Sequence, residues 1–121
     1  MNYESSIWQE SVTHPGVRYR VAKMSFGRRL ELTKRVRELS RGIAFHESDA
    51  RLEGKLEASI LASEVDRLYL EWGLCELHGL EIDGAEASIQ SLIARGPEAL
   101  CLEILDTVKR ESGLTESERK N

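Results

Sequence analysis

The first clear pattern of apolar and polar positions is a strict alternation near the start of the chain. Its apolar positions are Val17, Tyr19 and Val21, and the polar ones between them are Arg18 and Arg20. This is the period of a strand with one buried face. A Pro-Gly pair just before it favours a turn. We therefore predict a strand over residues 17–24, paired in a short β-hairpin whose turn lies at residues 14–16.

The next pattern has the period of a helix. Four apolar residues fall within about 60° of one another at 100° per residue: Leu32, Val36, Leu39 and Ile43. Ser25 is a suitable N-cap, so we predict a helix over residues 25–45. Phe26 and Leu30 lie well off the apolar stripe, and we expect them to form a second contact that covers the hairpin.

A second helix is predicted over residues 49–72. Its apolar stripe repeats the same spacing, with Leu61, Val65, Leu68 and Trp72. Upstream, Leu52, Leu56 and Ile60 step by four and drift around the helix, which indicates a twisted contact or a break near Gly54. The two helices are predicted to form an antiparallel hairpin.

Two shorter helices are predicted in the last third of the chain, over residues 88–95 and 97–112. Gly96 and Pro97 separate them, since glycine ends helices and proline begins them, and Gly113 ends the second. Between the two pairs of helices we expect a long irregular stretch. Within it, residues 80–84 are predicted to form a brief strand that enters an Asp-Gly turn.

The predicted fold class is mainly α: a short N-terminal β-hairpin followed by a helix hairpin and two smaller C-terminal helices. Residues 1–113 are predicted to form a single domain. Residues 114–121 are predicted to be a mobile tail, because the capping box of Thr115 and Glu118 is followed by only three residues.

Charge is distributed unevenly along the chain. The net charge is −4, but residues 18–41 hold nine bases and two acids, whereas residues 42–121 hold eight bases and seventeen acids. The basic segment needs an acidic partner, which can be the acidic part of the same chain.

The longest apolar run has four residues, too few to span a membrane, and the N-terminus does not resemble a secretory signal. A cytoplasmic location is expected.

The sequence offers little catalytic chemistry. Cys75 and His78 have a C-x-x-H spacing, but a structural zinc site needs four ligands, and His14, His46 and Cys101 are not paired in sequence. Neither glycine-rich phosphate-binding motif is present. We predict a protein that is not an enzyme, with no catalytic residue, no cofactor and no metal site; an enzyme would depend on Cys75 and His78.

Six blocks of sequence, taken together and in order, resemble the tail assembly chaperones of long-tailed bacteriophages and prophages. They are His14-Pro15-Gly16-Val17, MSFGRRLEL (24–32), EVDRLYLEWGL (64–74), GLEIDG (79–84), RGPEAL (95–100) and GLTESERKN (113–121). The resemblance implies a small, mainly helical protein of the bacterial host's cytoplasm that is absent from the finished particle. It also implies two partners, the tape-measure protein and the tail-tube protein, and in many members a longer product made by frameshifting.

Such a chaperone needs an apolar surface rimmed by charge to bind amphipathic helices reversibly. The residues predicted to bind a partner are Phe26, Arg28, Arg29, Leu30, Lys34, Arg37 and Arg41. A structural tail or adaptor protein is the first alternative. A nucleic-acid-binding regulator that uses residues 18–41 is the second, although the acidic chain argues against nucleic acid. A homo-oligomer is left open.

Overall fold

The structure is a computed structural model that describes residues 1–47 and 52–113, with the backbone alone for residues 42–47 and 52. The tail predicted over residues 114–121 lies outside the described residues. The strands are β1 (Ser6–Glu10), β2 (Arg18–Ala22), β3 (Leu74–His78), β4 (Glu81–Ile82) and β5 (Ala85–Glu86), and the helices are α1 (Phe26–Glu47), α2 (Leu52–Gly73), α3 (Ile89–Arg95) and α4 (Glu98–Glu111). The described chain is mainly α, as predicted.

The described residues form two compact units. The first contains residues 1–25 and 69–113, with all the strands, the end of α2, and helices α3 and α4. The second, Phe26–Leu68, contains α1 and most of α2. The sequence predicts a single domain over residues 1–113 and does not reveal the division into two units. It shows no boundary because α2 continues without a break from one unit into the other.

The predicted hairpin is present as strands β1 and β2, which pair antiparallel. Its turn closes where the N–H of Val17 donates to the carbonyl of His14 at 3.1 Å. Gly16 has a φ of +95°, which is the conformation that a type II turn requires after proline. The alternation of β2 is also as predicted, with Tyr19 and Val21 buried and Arg18 exposed.

Strand β3 contradicts the prediction of a long irregular stretch after α2. It pairs antiparallel with β2, so that the sheet has the order β1-β2-β3. Arg20 pairs with Glu76 and Val21 with Leu74, which leaves Cys75 without a counterpart on β2. Such a bulge changes the side to which the following residues point. Leu74 and Leu77 are therefore both buried although they are three residues apart, and the sequence shows no alternation.

The predicted Asp-Gly turn is confirmed. Ile82 of β4 pairs with Ala85 of β5, and the two residues between them, Asp83 and Gly84, have φ angles of +54° and +83°. Positive φ at both positions is the type I′ geometry that joins two-residue hairpins.

The core of the first unit lies between the sheet and α4. It consists of apolar side chains from the sheet, the end of α2, the β4–β5 hairpin and the two last helices: Val17, Tyr19, Val21, Leu70, Leu74, Leu77, Ile82, Ala87, Leu92, Leu100, Ile104, Leu105 and Val108. Helix α4 presents an apolar face to this core, with Leu100, Ile104 and Val108 fully buried. It ends before Gly113, whose φ is +83°, a common helix-ending conformation.

The second unit has its own buried stripes. Leu32 on α1 and Ala58 on α2 are buried, and five of the residues predicted to face inward are half-buried: Val36, Leu39, Leu61, Val65 and Leu68. The side chain of Ile43 lies outside the described residues. Helix α2 continues through Gly54 without interruption. The drift of Leu52, Leu56 and Ile60 therefore does not mark a break.

One carboxylate joins the β1–β2 turn to α4. The Oε1 of Glu103 accepts hydrogen bonds from the hydroxyls of Ser11 and Thr13 and from the N–H groups of Val12 and Thr13, at 2.7–3.2 Å. Its Oε2 accepts from the hydroxyl of Tyr19 at 2.8 Å. Charge-assisted hydrogen bonds of this kind are the strong ones, so Glu103 fixes the turn against the helix.

The same contacts shift the pKa values of both partners. Burial raises the pKa of Glu103, but the hydrogen bonds from Thr13, Tyr19 and Ser11 outweigh it and hold that pKa below its ordinary value. Burial, together with the neighbouring carboxylate, raises the pKa of Tyr19 to about 12, although the hydrogen bond with Thr107 acts in the opposite direction. The anionic form of Glu103 and the neutral form of Tyr19 are thus the ones that the fold favours.

Replacing Glu103 is expected to destabilise the protein. Glu103→Ala leaves several donors without an acceptor, and hydrogen bonds to a charged group contribute about 2 kcal/mol net. We expect the free energy of unfolding in urea to fall by about that amount, whereas Glu86→Ala on exposed β5 changes it by less than about 0.5 kcal/mol.

Because the folded pKa of Glu103 is lowered, its contribution to stability is complete above the unfolded pKa of about 4.3. That contribution is lost as the pH falls through the folded value. If the difference in free energy of unfolding between the wild type and Glu103→Ala stayed constant down to pH 2, it would contradict this account.

Two glycines in helices are expected to respond to alanine with opposite signs. A Cβ on Gly73 would overlap the Cγ1 of Val108, whereas a Cβ on Gly27 would meet nothing within 4 Å. Gly73→Ala should therefore cost about 1–3 kcal/mol by overpacking. Gly27→Ala should stabilise by about 0.5–1 kcal/mol because alanine favours the helix. Thermal unfolding of both variants measures the difference. Equal shifts of the melting temperature would show that the side chain of Val108 moves to accommodate the added methyl group.

Candidate functional site

Helix α1 carries large apolar side chains on its surface. Phe26 is 91% exposed and Leu30 is 52% exposed, so the prediction that they form a second contact that covers the hairpin is wrong. Four residues apart, they lie on the same side of the helix, away from the buried Leu32. The end of this helix near Phe26 thus presents an apolar patch to its surroundings.

Three bases continue the same side of α1. At 100° per residue, Lys34, Arg37 and Arg41 fall within about 80° of Phe26, and all three are exposed. Between residues 26 and 41, no acid lies in that sector. We call Phe26, Leu30, Lys34, Arg37 and Arg41 the basic stripe.

The structure thus places five of the seven predicted partner-binding residues on one face. The other two, Arg28 and Arg29, lie outside the basic stripe: Arg29 is exposed at its flank, and Arg28 is half-buried on the far side of the helix. The apolar part occupies one end of the stripe and the charged part the other. Such a surface fits an amphipathic partner with acidic groups.

A second exposed apolar stripe lies on α2, and the sequence analysis did not assign it to the surface. Leu56 and Ile60 are 55% and 54% exposed and lie on the same side of the helix. Three exposed carboxylates border this pair on one side: Glu53, Glu57 and Glu64. The signal in the sequence was the step of four from Leu56 to Ile60, on the side of the helix opposite the buried Ala58.

The basic segment of residues 18–41 is divided between the two compact units. Arg18 and Arg20 belong to the sheet in the first unit, whereas the bases of α1 belong to the second. The predicted basic segment thus contributes residues to both units.

On the sheet, the two arginines surround an aromatic ring. Arg18 stacks over Trp8 with its guanidinium carbon 4.5 Å from the ring centroid, and that of Arg20 lies at 5.9 Å. The carboxylate of Glu76 accepts from Arg20 at 2.6 Å and contacts His78 at 3.0 Å. Hydrogen bonds from His78 and then Arg20 lower the pKa of Glu76. The charge of Arg20 is thus already paired within the sheet, and the guanidinium of Arg18 is stacked on an aromatic ring.

Cys75 and His78, the residues on which an enzyme would depend, make separate contacts. The thiol of Cys75 lies 3.8 Å from the carbonyl of Gly73, whereas the ring of His78 contacts Glu76. Within residues 1–47 and 52–113, no group of three or more histidine, cysteine or acidic side chains is placed to hold a metal ion.

Comparisons of the chain with protein-family models, with curated proteins and with solved structures find no match. In the part of the chain that the structure describes, no helix is both long enough and apolar enough to cross a bilayer.

The exposure of the basic stripe leads to a stability prediction. Phe26→Ala should change the free energy of unfolding by less than about 0.5 kcal/mol, because its side chain packs against little. Leu32→Ala, six residues further along the same helix, should cost about 3 kcal/mol because it empties a buried position. Urea titration of both variants measures the contrast. A large loss for Phe26→Ala would show that Phe26 belongs to a core, and it would remove the apolar end of the proposed surface.

Proposed function

We propose that this protein is a non-enzymatic assembly chaperone of a phage tail that binds the tape-measure protein and helps to recruit tail-tube subunits. The proposal combines the resemblance of six sequence blocks to tail assembly chaperones with the surface of α1. It places the protein in the cytoplasm of the bacterial host, outside the finished particle.

The observation that carries the proposal is the exposure of Phe26 and Leu30 beside an unbroken set of bases. Single exposed apolar residues are ordinary on protein surfaces, but here two large ones share a helix face with three cations. Long amphipathic helices with exposed apolar faces aggregate unless those faces are covered. The apolar end of the basic stripe can cover part of such a face, and the bases can attract its acidic residues and fix its orientation.

A structural tail or adaptor protein of the phage particle is the first alternative, and it belongs to another class of function. It would use similar surfaces but stay in the assembled particle, whereas a chaperone is released. Detection of the chain in purified particles at the abundance of a structural subunit would favour this alternative.

The nucleic-acid alternative receives less support from the charges. Binding to phosphates requires unpaired cations on a continuous surface. Arg20 is already paired with Glu76, and the bases of α1 belong to a different compact unit from Arg18, Arg20 and Lys23.

The proposed function predicts that the chain keeps a tape-measure protein soluble through the basic stripe. We expect co-expression with the long helical protein of the same tail gene cluster to move that protein into the soluble fraction. Phe26→Ser combined with Leu30→Ser should abolish the effect. Each side chain contributes about 1.5 kcal/mol when buried, so the double variant should bind on the order of 100-fold more weakly.

The matched control is Leu102→Ser, which removes an apolar side chain of similar exposure, 57%, from α4 in the other unit. It should leave the solubility of the tape-measure protein unchanged. Solubility that does not depend on the chain at all would contradict the proposed function. Equal losses in the control and in the double variant would contradict the assignment of the surface.

A further inference from the structure

The second unit carries two exposed stripes of opposite charge. The basic stripe on α1 pairs Phe26 and Leu30 with cations. On α2, Leu56 and Ile60 are bordered by carboxylates, and we call this surface the acidic stripe: Leu56, Ile60, Glu53, Glu57 and Glu64. In both stripes about half of each apolar side chain, or more, is exposed.

The two stripes are opposite in charge, and the shorter one spans about three quarters of the length of the longer. From Phe26 to Arg41 the basic stripe is about 22 Å long, and from Glu53 to Glu64 the acidic stripe is about 16 Å long, at a rise of 1.5 Å per residue. One base, Arg67, lies on the same side of the helix just beyond the end of the acidic stripe. Its guanidinium is 3.9 Å from the carboxylate of Glu64. Glu53 and Glu57 keep the acidic character at the end of the stripe nearer to Leu56.

We propose that the basic stripe of one copy of this chain docks on the acidic stripe of a second copy. The acidic stripe has the chemistry that the basic stripe is suited to bind: an amphipathic helix face with two large apolar side chains and flanking carboxylates. The proposal goes beyond the proposed function and rests on it only in so far as both use the basic stripe.

Such a contact joins different surfaces on the two copies. Contacts of this heterologous kind leave one stripe of each type unoccupied at the ends of a dimer, so that further copies add until a ring closes or a filament grows. The assembly should therefore grow with protein concentration. It should also weaken as salt rises, because the screening length falls from about 10 Å at 0.1 M to about 3 Å at 1 M.

Charge reversal on each stripe provides the test, with the purified chain alone and mass measured by analytical ultracentrifugation. The first variant combines Arg37→Glu with Arg41→Glu, and the second combines Glu53→Lys with Glu57→Lys. Each variant has two stripes of like charge, so each alone should be a monomer at concentrations at which the wild type associates. An equimolar mixture should associate again, because each stripe of one variant is then complementary to a stripe of the other.

The matched control combines Arg35→Glu with Arg95→Glu. It changes the net charge by the same amount as the first variant, at two bases that form exposed ion pairs outside both stripes, and it should associate like the wild type. Circular dichroism of every variant verifies that the helices are retained. If a charge-reversed variant loses its helices, a substitution without a charge change replaces it: Phe26→Ser for the basic stripe and Ile60→Ser for the acidic stripe.

The outcomes are distinct from those of the proposed function, because no tape-measure protein is present. A wild type that stays monomeric at high concentration and low salt would overturn the inference. So would variants that associate as well as the wild type, or a mixture that stays monomeric. Self-association that depends on both stripes would support the inference even if the chain had no effect on tape-measure solubility.

Discussion

The fold of the first unit depends on the contact between Glu103 and the β1–β2 turn. Burial alone would favour a neutral carboxyl at this position, but five donors from the turn and from Tyr19 converge on it and keep it anionic. The contact links residues about ninety positions apart and brings Tyr19, the centre of the sheet's inner face, onto α4. With this alignment set, Leu100, Ile104 and Val108 can fill the space behind the sheet. A single polar interaction thus determines how an apolar core is assembled, because apolar packing alone is not directional.

The parts of the fold that follow from local patterns could be predicted, and those that depend on distant partners could not. The alternation in β2, the turn at Gly16 and the apolar face of α4 are written into neighbouring residues. Strand β3 was not predicted, for two reasons. Its bulge at Cys75 removes the alternation of apolar and polar residues by which a strand is recognised. Its pairing partner, β2, lies more than fifty residues away in the sequence. The role of Glu103 was equally hidden, since a helix with several carboxylates shows nothing that distinguishes the one that is bound.

The candidate site shows a different limit of sequence analysis. On α1 and on α2, helical periodicity gives two apolar stripes each, and spacing cannot decide which stripe is buried. Leu32 is buried and Phe26 is exposed, although both are large apolar residues with a helical spacing to their neighbours. The additional information is charge: the exposed stripe of α1 continues into bases, and that of α2 borders carboxylates. Apolar residues that share a face with one sign of charge are suited to contacts that must form and dissociate.

The two proposed uses of the basic stripe are linked, because a helix of another protein and the acidic stripe of a second copy would occupy the same side chains. Binding of one partner excludes the other, and by linkage each lowers the apparent affinity of the other by the same factor. A chaperone that associates with itself would keep Phe26 and Leu30 covered while no partner is present, which limits unspecific aggregation of the exposed patch. The same competition sets an upper limit on the strength of self-association. A long partner helix offers several copies of the binding surface in one molecule, and this multivalency favours exchange of the self-contact for the partner contact. Weak, salt-sensitive contacts between copies are therefore consistent with the proposed function, whereas a tightly closed oligomer would oppose it.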